Sequence, residues 1–304
     1  MSCFLCQPCF NHTPCISIED HDLSKSISIY DWKKRIRNLF IHVQIEWSTK
    51  YELLMDDIYE FYHMNIPFHN HTHAYDVLQL GIFLLLKCKP LFKKITFDTT
   101  FTFCLALLCH DIDHQGRTNS DLEKNGSFVD LECDLIDDSE SLHSYCSLTS
   151  HNEKHHLSTA CRLFKKHNVE YNKSLFATLV AHTDLLRHQT FLENLENKNT
   201  KNISIEDQLI VLIKLADIGH ILRPWKVHMH FVNAMNRERT DPLSTLDLPY
   251  DTINFNATFV YPILLRLKQM NFVLYTKLCA KYEKNMQKWK DIRDFVISNQ
   301  APNH

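Results

Sequence analysis

Residues 100–119 read TFTFCLALLCHDIDHQGRTN. From Thr100 to Leu108 the chain carries no charge and is dense in Phe, Leu, Ala and Cys, the composition of a buried segment. Directly after it, His110, Asp111, Asp113 and His114 crowd together. Charged side chains are rarely buried unless they are paired or bind a metal. An apolar run ending in such a cluster carries titratable groups to the edge of a core, and the question is what they hold there.

The surroundings favour helices. Only four glycines occur in 304 residues, too few for a sheet-rich fold with many tight turns or for glycine-rich phosphate loops. Helical periodicity covers YDWKKRIRNLFIHVQIEW (30–47), HAYDVLQLGIFLLLKC (73–88), TTFTFCLALLCHD (99–111) and EKHHLSTACRLFKKH (153–167). It resumes in LFATLVAHTDLLRHQTFL (175–192), DQLIVLIKLADIGH (207–220) and PWKVHMHFVNAMNRE (224–238). A last helical pattern runs from Asn254 to Ile297, interrupted by Pro262. Ser204 reads as an N-cap, with Glu206 and Asp207 in the first turn. NLENKNTKN (194–202) reads as a polar linker. DLECDLIDDSES (130–141) reads as a solvated acidic loop within an irregular segment, 120–150. The expected fold class is all-α: a multi-helix bundle over 29–299, with a Cys-rich tail at 1–28 and a short tail at 300–304.

A net charge of −3 and a pI near 6.7 imply no broad basic face, which disfavours nucleic acid as a partner. The eleven cysteines follow no secretory signal, so reduced thiols and a cytoplasmic location are expected. The longest apolar run, VLQLGIFLLLKC, is shorter than the roughly 20 residues of a membrane-spanning helix. Cys3, Cys6 and Cys9, with Cys15 after them, admit three readings: a small zinc knuckle, lipidated thiols tethering the chain to a membrane, or an uncommitted tail. A homodimer is compatible with the sequence.

His69 and His73 are four apart and would share a helix face, with His71 pointing elsewhere. His110, Asp111 and Asp217 lie at ends or on faces of apolar helices. Asp217 falls near a helix C-terminus, where the dipole disfavours an anion and a nearby cation would relieve it. On spacing alone two readings stand. A bundle could gather His73, His110, Asp111 and Asp217 around zinc or a similar ion. Alternatively, the aspartates pair among helix ends, with Lys214 and Arg117 serving two of them.

These segments resemble a known family. HDIDHQGRTNSDL (110–122) is similar to the H-D-x-D-H-x-G-x-x-N-x-x-L signature of the class I 3′,5′-cyclic-nucleotide phosphodiesterases. FHNHTHAYDV (68–77), NEKHHLSTA (152–160), HTDLLRH (182–188) and IKLADIGH (213–220) resemble that family's other segments in order and approximate spacing, from about residue 48 to 297. The resemblance implies the family's all-helical catalytic domain. It makes His73, His110, Asp111 and Asp217 ligands of a zinc-like ion. Asp111 would bridge to a second ion, magnesium or manganese, and His69 would be the general acid. His114, Glu153, His156, Thr183 and Asp184 would hold waters and orient ligands, and Phe259 would stack on the base.

That chemistry suits the residues. Opening a cyclic phosphodiester needs a water ionised near neutral pH, and cations lower its pKa from 15.7 to about 7. Asp111 is placed to bridge the two ions that share the hydroxide. The ribose alkoxide leaves poorly unless protonated, and a positioned imidazolium supplies roughly 10²- to 10⁴-fold. A carboxylate beside His69 would favour that imidazolium; Glu153 is the candidate.

Departures from the family's pattern fall on the substrate side. Asn256 stands where the family has the glutamine that reads the purine, three residues before Phe259. His220 replaces an asparagine, Gly219 a serine, His182 an alanine and Phe68 a tyrosine, and Glu153 sits one residue late. Cyclic AMP and cyclic GMP therefore both remain candidate substrates. Two other functions compete: another H…HD…D phosphohydrolase acting on acyclic nucleotides, and a member that binds nucleotide or partners without turnover.

Overall fold

A computed structural model of the chain describes residues 16, 27–124, 150–198 and 203–299, and all regular structure among them is helical. The N-terminal cysteines and the acidic stretch 130–141 lie outside the described residues. In chain order the helices are α1 (Ile29–His42), α2 (Thr49–Phe61), α3 (His71–Lys87), α4 (Lys89–Phe92), α5 (Phe97–Cys109), α6 (Asn119–Lys124) and α7 (His151–Lys166). They continue with α8 (Lys173–Ala181), α9 (His188–Glu196), α10 (Ile205–Ile218), α11 (Trp225–Glu238), α12 (Asp247–Phe255), α13 (Tyr261–Met270) and α14 (Phe272–Ser298). No helix among the described residues is long and apolar enough to cross a membrane.

Caps set where the helices begin. Ser28, Ser48, Thr96 and Asn172 accept a first-turn backbone N–H of α1, α2, α5 and α8. Ser204 and Asp207 form a reciprocal capping box at the start of α10. Asn70 caps α3 through its side-chain oxygen, while its Nδ2 donates to the Ile66 and Pro67 carbonyls. One side chain thus starts α3 and folds the turn carrying His69.

Several boundaries differ from the periodicity. His69 precedes the α3 N-cap, so it shares no helix face with His73. α1 ends at His42 because Gln44 takes a positive φ of 62°. The apolar run 175–192 breaks at His182–Asp184, where Asp184 accepts the Leu186 N–H and starts a 3-10 turn, Leu185–Arg187. The segment 194–202 opens inside α9, since Leu195 is buried and keeps the helix going to Glu196. At the start of the expected irregular segment, residues 119–124 form α6. Pro262 does not interrupt the last pattern; that break comes at Asn271. Instead, a π turn, Asn256–Val260, precedes it. Proline lacks an N–H and its ring crowds the carbonyl four residues back, and the wider turn makes room.

The core centres on α3, which packs against both α5 and α10. All three are apolar nearly all round, as central helices are. Each fully buried Leu or Ile there contributes roughly 1.5–3 kcal/mol. α3 and α5 approach closely at Gly81: a Cβ there would lie 2.4 Å from both Leu107 methyl carbons. Leu107 is itself fully buried, so it has nowhere to retreat. Gly81→Ala is expected to destabilise the fold by about 1–3 kcal/mol through overpacking, read as a shift in the denaturant midpoint. An unchanged midpoint would show that this contact is slack.

α14 buries Leu274, Leu278, Tyr282, Met286 and Trp289, one stripe along its length. Its Asn285 donates to the Ile221 and Arg223 carbonyls, tying the helix to the 3-10 turn Gly219–Leu222 that follows α10. Arg223 and Asp76 form a fully buried ion pair at 2.8 Å, which anchors the same turn to α3.

Candidate active site

Three central helices deliver four side chains to one point. His73 stands in the first turn of α3, His110 caps the end of α5 with Asp111 after it, and Asp217 lies in the last turn of α10. His110 Nδ1 donates to the Leu107 carbonyl at 3.1 Å, which aims Nε2 forward. That Nε2 is 2.9 Å from Asp111 Oδ2 and 3.3 Å from Asp217 Oδ1. His73 Nε2 is 3.3 Å and 3.4 Å from the same two oxygens. Yet neither Nε2 makes an aligned hydrogen bond, although both are buried.

Buried polar atoms without partners are rare. Ligand atoms 2.0–2.1 Å from a tetrahedral ion lie about 3.3 Å from one another. The observed separations, 2.9–3.4 Å, are close to that edge length, and these atoms form a group that could hold an ion. Two imidazoles and two carboxylates are a donor set that suits a zinc-like dication, so the residues fit such an ion. Lys214 does not serve these aspartates; it donates to the His182 and Asp184 carbonyls instead. Asp113 accepts from His63 and His155, each at 2.7 Å.

Electrostatics agree. Burial disfavours the His110 imidazolium, but Asp111 and Asp217 outweigh it and hold the pKa well above the usual value. His73 moves the same way for the same reasons. Burial opposes ionisation of Asp111 and Asp217, but His110 beside them keeps both pKa values low. The cluster attracts positive charge, and a bound cation would displace these protons.

His69 lies beside this group without joining it. Its Nδ1 bonds to Glu238 Oε1, and the Phe68 and His69 backbone N–H groups donate to Glu238 Oε2 at 2.7 and 3.0 Å. Burial raises the Glu238 pKa, but the His69 contacts and these N–H groups lower it further and keep the carboxylate ionised. The bond at Nδ1 leaves Nε2 of His69 for other work. His114 stacks on His69 with centroids 3.9 Å apart, and its Nδ1 accepts the Gly116 N–H. The carboxylate beside His69 is therefore Glu238, not Glu153.

The other residues singled out from sequence stand around Asp111. His156 donates through Nδ1 to the Ile112 carbonyl and turns Nε2 toward Asp111 Oδ1, 3.9 Å away. Glu153 accepts from Asn119, and burial, with Asp184 nearby, pushes its pKa up to about 7. Thr183 donates to the Val180 carbonyl, and Asp184 accepts from Ser150 at 2.6 Å. Asp113 holds a left-handed φ of 61°, a strained state for a non-glycine residue, and the two histidines clamp it there.

A cavity of about 750 Å³ opens above these groups. Asp111, Asp217, His69 and His114 line its floor, while Phe68, His220, Asn256 and Phe259 line its wall. The π turn carries both Asn256 and Phe259. Phe259 meets His188 edge-on at 5.3 Å and packs on Phe255. Asn256 is 1% exposed; its Nδ2 donates to the Thr252 carbonyl and its Oδ1 has no partner.

A model of the 3′,5′-cyclic nucleotide phosphodiesterase family matches residues 68–243, a stretch that contains the cluster, His69 and Glu238. The chain belongs to that family. It is 25% identical to a cGMP-specific 3′,5′-cyclic phosphodiesterase gamma of Plasmodium yoelii over 290 residues, covering 86% of this chain and 35% of the relative. It is 26% identical over 294 residues to a high-affinity cAMP-specific 3′,5′-cyclic phosphodiesterase 8A of Homo sapiens, covering 79% of this chain and 34% of that one. The chain thus spans about a third of the length of these curated relatives. The phosphodiesterase domain of a rhodopsin–phosphodiesterase fusion from Salpingoeca rosetta shares the fold, with a TM-score of 0.74 at 22% identity, covering 93% of this chain and 96% of the domain. The four-residue cluster and the cavity lining between them contain the residues proposed for the site, while Lys214, Asp113 and His182 stand outside both; Asn256, in the lining, turns its Nδ2 back on Thr252. Sequence reading missed Glu238. The signal was present: an acidic residue at a helix C-terminus, the anomaly that singled out Asp217.

Proposed function

We propose that the chain hydrolyses a 3′,5′-cyclic nucleotide to the nucleoside 5′-monophosphate with two divalent ions. His73, His110, Asp111 and Asp217 would hold the zinc-like one. Asp111 would share the second, magnesium or manganese, whose surroundings include His114, His156, Glu153, Thr183 and Asp184. Bound there, the ions would acidify a water and offset the phosphoryl charge. The observation that carries this reading is a four-ligand cluster in one cavity with an imidazole–carboxylate pair, His69 and Glu238, that takes no part in it.

The chain's own groups account for the rest. Glu238 fixes His69 through Nδ1, so the proton His69 delivers to the departing ribose oxygen leaves from Nε2. The three donors converging on Glu238 hold the turn at His69 against the end of α11, which sets the angle of attack of that proton. Phe259 and Phe68 offer apolar faces to the base at the wall. A volume of about 750 Å³ accommodates a nucleotide.

Incubating purified protein with cyclic AMP and cyclic GMP, with magnesium or manganese added, is expected to yield the 5′-monophosphate. Release of inorganic phosphate from acyclic nucleotides instead would identify a different phosphohydrolase. Stoichiometric metal with no turnover of either cyclic substrate would identify a binding protein.

A further inference from the structure

A buried relay stands behind the cavity wall. Trp289 Nε1 lies 2.6 Å from His228 Nε2, and His228 Nδ1 lies 2.8 Å from His220 Nδ1. His228 is fully buried and Trp289 2% exposed. An indole N–H can only donate. His228 Nε2 therefore accepts, and the His228 proton sits on Nδ1. That proton is donated to His220 Nδ1, so the His220 proton sits on Nε2. Burial keeps both rings neutral, pushing His220 down to about 4 and His228 well below its usual value. Each tautomer follows from the one before it, starting at a group with a single role.

His220 is partly exposed and lines the cavity, and its Nε2 has no partner among the described residues. Its ring is held in place, stacked on His228 at 4.9 Å and packed on Phe231 and Phe68. Asn256, by contrast, is 1% exposed and spends its Nδ2 on the Thr252 carbonyl.

We infer that the Trp289–His228 pair fixes His220 as an N–H donor to the nucleotide base, and that this donor, rather than Asn256, makes the directional contact with the purine. The inference rests on the cyclic-nucleotide reading of the cavity. Adenine and guanine share one acceptor on the same edge, N7. A lone donor facing N7 does not tell them apart, so cyclic AMP and cyclic GMP should show KM values within about tenfold of each other, one hydrogen bond's worth. Trp289 and His228 are positioning residues in this scheme, acting only through His220.

Nitrogen-15 NMR of the full chain reads the tautomers directly. Neutral His228 with its proton on Nδ1 and neutral His220 with its proton on Nε2 are expected; the reverse arrangement, or a charged ring, overturns the relay. This readout needs no turnover, so it separates failure of the relay from failure of the proposed activity. The base contact is tested with 7-deaza-cyclic AMP, which lacks the acceptor. Its KM should exceed that of cyclic AMP about tenfold in the wild type and not at all in His220→Phe. An equal penalty in both proteins overturns the contact. If neither cyclic nucleotide is turned over, calorimetry with AMP and 7-deaza-AMP in manganese makes the same comparison. Trp289→Phe should raise KM about tenfold with kcat unchanged and melting retained; a fall in kcat at constant KM contradicts a positioning role. Should that variant fail to fold, the 7-deaza comparison in His220→Phe still decides.

Discussion

Asp111→Asn is expected to abolish tight metal binding and hydrolysis together. The substitution keeps the shape of the side chain and removes its charge. Asp111 Oδ2 faces both His73 Nε2 and His110 Nε2, and Oδ1 faces His156, so one carboxylate serves both proposed ion positions. Loss of a group merely hydrogen-bonded to a ligand costs about 10- to 100-fold in affinity; loss of this charged ligand should cost more than about 100-fold. Activity should fall at least as far, because both ions lose a ligand. Metal analysis after dialysis, paired with an assay, checks the coupling. A variant that binds metal normally, or retains full activity without it, would contradict the bridging role.

His69→Ala should behave in the opposite way: metal content retained, kcat reduced by roughly 10²- to 10⁴-fold, the usual contribution of a positioned acid. The geometry separates the two functions, since His69 contacts Glu238 and His114 but none of the four cluster ligands in hydrogen-bond range. Glu238→Gln should lower kcat less, as it keeps an acceptor for Nδ1 while removing the charge. An unchanged kcat in His69→Ala would falsify the assignment of the acid.

Much of this was legible in the sequence because the site is built from helix ends. A titratable group at the end of an apolar helix is an anomaly that periodicity exposes, and His110, Asp111 and Asp217 all show it. The turn at His69 was less legible. Asn70 starts α3 one residue after His69, and the capping bonds that decide this depend on local geometry more than on apolar spacing. The break at His182–Asp184 was hidden because Leu185 and Leu186 continue the apolar pattern while standing on the surface. Asp113 pairs with residues 50 and 42 positions away, histidines whose role no local pattern announces. The relay behind His220 spans α11 and α14 and joins residues 61 apart, from His228 to Trp289. Only the packed bundle could reveal it.

X-ray absorption of the zinc-loaded full chain addresses the four-ligand centre itself. The arrangement of His73, His110, Asp111 and Asp217 calls for a first shell of nitrogen and oxygen only, near 2.0–2.1 Å. A sulfur shell near 2.3 Å would place the ion on cysteines elsewhere in a chain that has eleven of them, and the proposed catalytic centre would lose its foundation.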